Sequence, residues 1–307
     1  MIKKYKEFIF EYGSNDYDYD EWSYSRRQED AEFKDRFTKY KDFLSKKSQG
    51  PSGSSAGISS STGSYTPGSV SFGDTDGMIS LVVKYLNKHG ITNPLVQKAI
   101  LSTIAKESGF KINRSETPYR NTDSARIREV FGSRVSKMTD KEIDVLKKDD
   151  NAFWEKVYGG EWGKRNLGNT NPGDGAKYIG RGFNGITGRT NYQTYTDMLR
   201  KRGTNVDLIA NPEILEKDPN ISAEVNALYF INGLSNSIIK RKYGNSDPND
   251  FNDFETALKA VVNTNAGPGN DINSGISNKL YNVAVAAGNS YSSKFDKLIS
   301  DEKGKMA

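Results

Sequence analysis

The chain has no cysteine and a single histidine, His89, among 307 residues. Without cysteine it has no disulfide, no thiolate metal site and no cysteine nucleophile. One histidine speaks against a zinc amidase or zinc peptidase, which draws on two or more, and against a Ser-His hydrolase unless that imidazole is correctly paired. His89 precedes Gly90 at the end of a helical stripe, where helix termination or C-capping accounts for it. No apolar run approaches about 18 residues, so no membrane-spanning helix is expected. The start is basic and then briefly apolar, but Glu7 and Glu11 interrupt it and no signal-peptide core follows, so export by the ordinary signal route is not expected. Of the common hydrolytic chemistries, the one that needs neither thiol nor imidazole is carboxylate acid–base chemistry, and it remains open.

Charge and polarity bound the rest. Apolar residues make up 35% of the chain and the mean hydropathy is −0.74. The net charge is +5 with a pI near 9.0. A mild basic excess fits an anionic partner such as nucleic acid or a bacterial wall, and equally a solvated basic surface. No Lys/Arg cluster with interleaved aromatics stands out downstream, so nucleic acid is not expected as a partner. The length suffices for one large domain or two small ones.

The polarity is uneven. Residues 1–48 are dense in charge and aromatics, with Phe33, Phe37, Tyr40 and Leu44 on one helical stripe. A lone helix of that size cannot bury its stripe, so this extension calls for a partner surface. Residues 49–77 are rich in Ser and Gly, with no Lys or Arg between Lys47 and Lys84. They read as an interdomain linker with a span on the order of 30 Å. Residues 78–307 read as mainly α. Ile79, Val82, Val83 and Leu86 form one stripe, and Val96, Ala99, Ile100 and Ile104 another behind Pro94. Ala227, Leu228, Ile231 and Leu234 mark a buried helix. Phe254, Ala257, Leu258, Val261 and Val262 form a face that Leu280, Val283 and Ala287 continue in the next.

Between these helical regions runs a glycine-rich stretch, Gly168 to Tyr192, which contains Gly173-Asp174-Gly175, Gly180-Arg181-Gly182 and Thr187-Gly188-Arg189. It also carries Tyr178, Phe183, Ile186 and Tyr192, too much apolar surface for a disordered linker. It reads as backbone shaped to hold something close, with Arg181, Thr187 and Asn191 as polar equipment. Upstream, Glu107 shares a helical face with Ile100 and Ile104, so it points toward the core or a cleft. Gly109 then lets the helix stop. Burial and the negative helix end both disfavour a charged carboxylate there, which suits a group that must carry a proton. The competing reading pairs Glu107 with Lys106 or Lys111 at the surface. Glu116 follows in a loop, either across a cleft from Glu107 or as a solvated acid.

In order, Glu107-Ser108-Gly109-Phe110, Glu116, Tyr119, Val157-Tyr158-Gly159, Gly168-Asn169, Gly173-Asp174-Gly175, Tyr-x-Gly-Arg-Gly and Thr-Gly-Arg-x-Asn-Tyr together resemble glycoside hydrolase family 19, the family of chitinases and many phage endolysins. The resemblance implies a lysozyme-like α-rich catalytic domain with a small extended glycine-rich segment and no cofactor. It implies Glu107 as general acid and Glu116 as the base that activates water, an inverting pair whose carboxyls stand about 6.5–9.5 Å apart. Thr187 and Asn191 match positions that orient the catalytic water and bind the sugar N-acetyl region. Asn265 resembles the family's Asn-Gly-Gly contact with substrate, unless it merely caps the preceding helix. Tyr178 and Arg181 are further candidate contacts, with loop anchoring the leading role for Arg181.

The sequence departs from the family pattern where it matters. The usual Gln two before the Thr is Gly185, the apolar residue before it is Asn184, and the residue before the acid, commonly His, is Lys106. Gly180-Arg-Gly182-Phe-Asn-Gly185 matches the dinucleotide fingerprint only literally, because it lacks the strand before and the helix after. Asp247 to Phe251 likewise lacks the spacing of an EF-hand. The expected function is hydrolysis of β-1,4 bonds in N-acetylated glycans, with peptidoglycan favoured over chitin because a chain without signal peptide or cysteines looks like a phage lytic protein. It would work in the host cytoplasm or the virion. Residues 1–48 would be the virion contact, and Lys4 to Glu11 is similar to short tags on head-packaged phage proteins. The rival is a non-catalytic structural or glycan-binding virion protein on a degenerate hydrolase fold.

Overall fold

The computed structural model describes residues 74–112, 119–267, 269–273 and 275–305. The expected N-terminal extension, nearly all of the expected linker, and Glu116 lie outside the described residues. Within them the chain is mainly helical, with no strand. The order is α1 (Thr75–Lys88), α2 (Pro94–Glu107), α3 (Ser124–Phe131), α4 (Asp140–Leu146), α5 (Asp150–Tyr158), α6 (Gly160–Leu167), α7 (Asp174–Lys177), α8 (Arg189–Lys201), α9 (Ile214–Lys217), α10 (Pro219–Leu234), α11 (Ser237–Tyr243), α12 (Phe254–Ala266) and α13 (Gly275–Gly304).

Local chemistry sets many of these boundaries. The side chain of Asp74 accepts from Gly77 N at 2.7 Å, so α1 begins at Thr75, inside the stretch expected as linker. Asn93 caps α2 ahead of Pro94, and its amide donates to Asn249 O and Phe251 O, both at 2.8 Å. Asp218 and Asp253 cap α10 and α12 in the same way. His89 is the C-cap residue of α1, and its Nε2 also lies 3.0 Å from buried Glu224, beside Lys88 at 2.6 Å.

Three apolar clusters organise the packing. The largest joins α1, α2, α10, α12 and α13, with Phe110 and Phe183 against it. A second is built on α3 to α6, where Tyr119, Phe131, Phe153, Trp154 and Tyr158 stack edge-to-face and face-to-face. The third gathers Tyr178, Ile186 and Tyr192 with α8, α9 and residues of α10. α10 therefore sits between two clusters and is buried almost all round, with Ile221, Ala223, Val225, Ala227, Leu228, Phe230 and Leu234 in the apolar packing and Ser222, Glu224 and Asn226 buried among them.

The face expected for the last helix is corrected. Val283 is 44% exposed, and the buried apolar side chains of α13 are Leu280, Ala284, Phe295 and Ile299. The cause is close packing on α2: a Cβ on Gly288 would stand 2.5 Å from Ser102 Oγ, so the small residues turn inward. No helix among the described residues is long and apolar enough to cross a membrane.

Candidate functional site

Glu107 is the last residue of α2, with Ser108 as C-cap. The chain then reverses through two successive residues with positive φ, Gly109 at 57° and Phe110 at 62°. For phenylalanine that conformation costs roughly 1–2 kcal/mol. Offsetting it, the Phe110 ring makes edge contacts with Tyr291 and Phe295, each with centroids 6.0 Å apart. The turn keeps Glu107 inside the protein, its side chain 2% exposed.

Two donors meet one carboxylate oxygen there. Asn265 Nδ2 donates to Glu107 Oε1 at 2.6 Å, and Lys106 Nζ lies 3.1 Å from the same oxygen. The pairing with Lys106 is thus made in the interior, not at the surface. Burial pushes the Lys106 ammonium below the ordinary lysine range, and the neighbouring carboxylate opposes that shift. Donors on Oε1 make it the acceptor oxygen, which directs any carboxyl proton to Oε2. Asn265 is not a helix cap: Gly267 occupies the C-cap of α12, and the amide of Asn265 is turned onto Glu107. One residue earlier, Thr264 O accepts from Tyr229 of α10 at 3.3 Å. The Tyr229 hydroxyl is pushed well up by burial first, and then by Tyr195 and the charge of Glu107, which puts α10 within electrostatic reach of the carboxylate.

The glycine-rich stretch is fastened independently. Asn169, fully buried, donates to Tyr158 O at 2.7 Å and accepts from Arg189 N at 2.8 Å. Glu155, also buried, accepts from Gly175 N at 2.9 Å at the start of α7. Arg181 and Ile186 exchange backbone hydrogen bonds around a tight turn, the nearest approach to extended pairing among the described residues. Beyond that turn the Thr187 hydroxyl donates to Gly185 O at 2.8 Å, and Asn191 Nδ2 donates to Thr187 O at 2.7 Å. Thr187 and Asn191 are therefore brought together.

Tyr178 and Arg181 serve the scaffold. Tyr178 is fully buried, its hydroxyl donating to Ile209 O and accepting from Arg189 Nη1, both at 3.1 Å. Arg181 Nη1 donates to Lys177 O at 2.7 Å and to the Tyr192 hydroxyl at 3.2 Å. Its Nε stands 2.8 Å from Glu216 Oε1, an ion pair whose N–H is not aligned on that oxygen. These contacts tie Arg181 into the glycine-rich stretch and to α9.

Gly188 sets the position of Thr187. Its φ is +88°, and a Cβ there would lie 2.8 Å from Leu167 Cβ and 2.9 Å from Leu167 O. Gly188→Ala should therefore destabilise the fold by more than about 1 kcal/mol, read as a lower denaturant midpoint. An unchanged midpoint would show that this turn is not fixed.

The sequence pointed to Glu107, Asn265, Thr187 and Asn191, and to Lys106 as a surface partner for Glu107, but gave no role to Glu155 or Asn169. Asn169 had a signal, since it follows Gly168 in a quoted motif. Glu155 had none, lying inside a helix like any surface acid. No protein-family profile and no curated protein sequence matches the chain.

Proposed function

We propose that this chain is a glycoside hydrolase of the lysozyme-like, family 19 type, which cuts β-1,4 bonds of N-acetylated glycans by single displacement. The supporting observation is Glu107, a carboxyl buried at a helix end with two N–H donors fixed on Oε1. A general acid needs an oriented carboxyl in a water-poor setting, and with both donors on Oε1 the free Oε2 is the oxygen from which a proton would be given. In the proposed reaction Glu107 gives its proton to the leaving glycosidic oxygen as the C1–O bond breaks. Water forms the new C1–O bond and yields its proton to Glu116, the base by resemblance, with Thr187 as the hydroxyl that orients the water. Asn265 positions the acid, and Asn191 contacts the sugar. No cofactor takes part.

Peptidoglycan is the preferred substrate and chitin the alternative, with residues 1–48 as a virion-protein contact. The test is digestion of purified peptidoglycan and of chitin by the full chain, followed by turbidity and by product mass. Fragments ending in a new reducing sugar are expected; peptide fragments without new reducing ends, or no change, would overturn the reading. A second reading, a non-catalytic glycan-binding or structural virion protein, is favoured by one observation. The buried Lys106 gives Glu107 a counter-charge of its own, which a purely structural ion pair would also have.

A further inference from the structure

Lys106 carries a charge in a place that packing does not explain. Lys106 and Glu107 are consecutive residues of α2, and neighbours one apart on a helix point roughly 100° away from each other. A lysine near a helix end ordinarily runs its stem along the surface and keeps its ammonium in water. This stem turns inward instead: the side chain is 1% exposed, and Nζ lies 3.1 Å from Glu107 Oε1. A buried ion pair is often no more stabilising than an apolar pair of similar volume, so stability alone does not account for the cation.

Glu107 sits where negative charge is least favoured, at the negative end of α2 and with a side chain 2% exposed. Acid catalysis creates that charge. The Oε2–H bond breaks, its electron pair stays on the carboxylate, and the proton passes to the glycosidic oxygen as the C1–O bond breaks. The sugar then leaves as a neutral alcohol. A carboxylate so deeply buried gains little from bulk water. Two groups on Oε1 meet it instead: Asn265 Nδ2, a neutral donor at 2.6 Å, and Lys106 Nζ, which brings a full positive charge. Burial works against the Lys106 ammonium and the Glu107 carboxylate supports it, so the cation is held best once the anion has formed.

We propose that Lys106 is a positioning residue for the acid step, its ammonium offsetting through Oε1 the negative charge that appears on Glu107 as the proton leaves Oε2. This rests on the glycosidase reading above. A contact that strengthens as the proton leaves lowers the barrier without tightening the hold on substrate. Its weight therefore depends on the leaving group. A sugar oxygen needs the proton in order to depart, whereas a dinitrophenolate departs without one.

The test uses the full chain and two variants: Lys106→Gln, which keeps an N–H donor but no charge, and Lys106→Arg, which keeps the charge. Steady-state kinetics compare an N-acetylglucosamine oligomer with a dinitrophenyl glycoside of the same sugar, and circular dichroism checks folding. On the oligomer, Lys106→Gln should lower kcat by about 10–100-fold, the weight of one charge-assisted contact, with KM little moved. Its loss on the dinitrophenyl glycoside should be much the smaller, and Lys106→Arg should recover most of the oligomer turnover. If Lys106→Gln does not fold, or the aryl glycoside is not cleaved, Lys106→Arg decides on the oligomer alone. Turnover nearer to wild type than to Glu107→Gln then supports the role, and turnover at the Glu107→Gln level overturns it. A folded Lys106→Gln that loses both substrates equally, loses only in KM, or loses nothing overturns the role of Lys106 and leaves the glycosidase reading standing. A wild type that cleaves neither substrate overturns the glycosidase reading, and the role of Lys106 with it.

Discussion

Glu107→Gln should abolish hydrolysis in a protein that still folds. The amide matches the carboxyl in shape and can still accept from Asn265 Nδ2, but it has no acidic proton to pass to a leaving oxygen. Loss of a general acid costs typically 10²–10⁴-fold, so the expected drop in turnover is about that size. The measurement is reducing-end release at matched protein concentration, with circular dichroism to show retained helix. Unchanged turnover in the folded variant would remove Glu107 from the chemistry and favour the non-catalytic reading.

The second large effect belongs to Lys106. Its ammonium and the Glu107 carboxylate are both buried, with side-chain exposures of 1% and 2%. Lys106→Met leaves Glu107 with Asn265 as its remaining assigned partner, and breaking such a pair costs about 3–5 kcal/mol. Urea unfolding should show that loss. The double variant Lys106→Met/Glu107→Gln should lose less than the two single losses added together, because no unpaired charge remains. Strict additivity would mean that the two groups do not interact. The pH dependence carries a sign of its own. Burial lowers Lys106 from 10.5, so below that value the folded protein holds less proton there than the unfolded chain does. This part of the stability therefore rises with pH toward about 10.5, and it should vanish in Lys106→Met.

How much of this was legible depended on whether the signal was local. The helix carrying Glu107 could be read from Pro94, the spacing of Ile100 and Ile104, and Gly109, all within its own segment. The buried face of α13 could not, because the close approach of Gly288 to Ser102 outweighs the larger Val283, and nothing in the helix's own sequence records that neighbour. Likewise, the grouping of Glu107 with Asn265 spans the distance from α2 to α12 and entered only through a family resemblance. The buried polar residues of α10 were hidden by those around them: Ala227, Leu228 and Leu234 announce a buried helix, and nothing in the sequence marks Ser222, Glu224 and Asn226 as buried with them. Lys106 was legible as a surface partner for Glu107 and as a departure from a family pattern, but its burial beside the carboxylate was not, because nothing in its own segment records the helices that cover it.

The central claim is single displacement with Glu107 as acid, and early-time NMR of the reducing-end anomeric proton tests it most directly. With a soluble N-acetylglucosamine oligomer as substrate, the proposed mechanism has a water activated by Glu116 attack from the face opposite the leaving group. The first product from a β-linked glycan must then be the α-anomer. A nucleophilic carboxylate, about 5–5.5 Å from the acid, would instead return the β-anomer through a covalent intermediate. Initial α-anomer that disappears in Glu107→Gln is the predicted result; initial β-anomer, or cleavage unaffected by that substitution, would contradict the account.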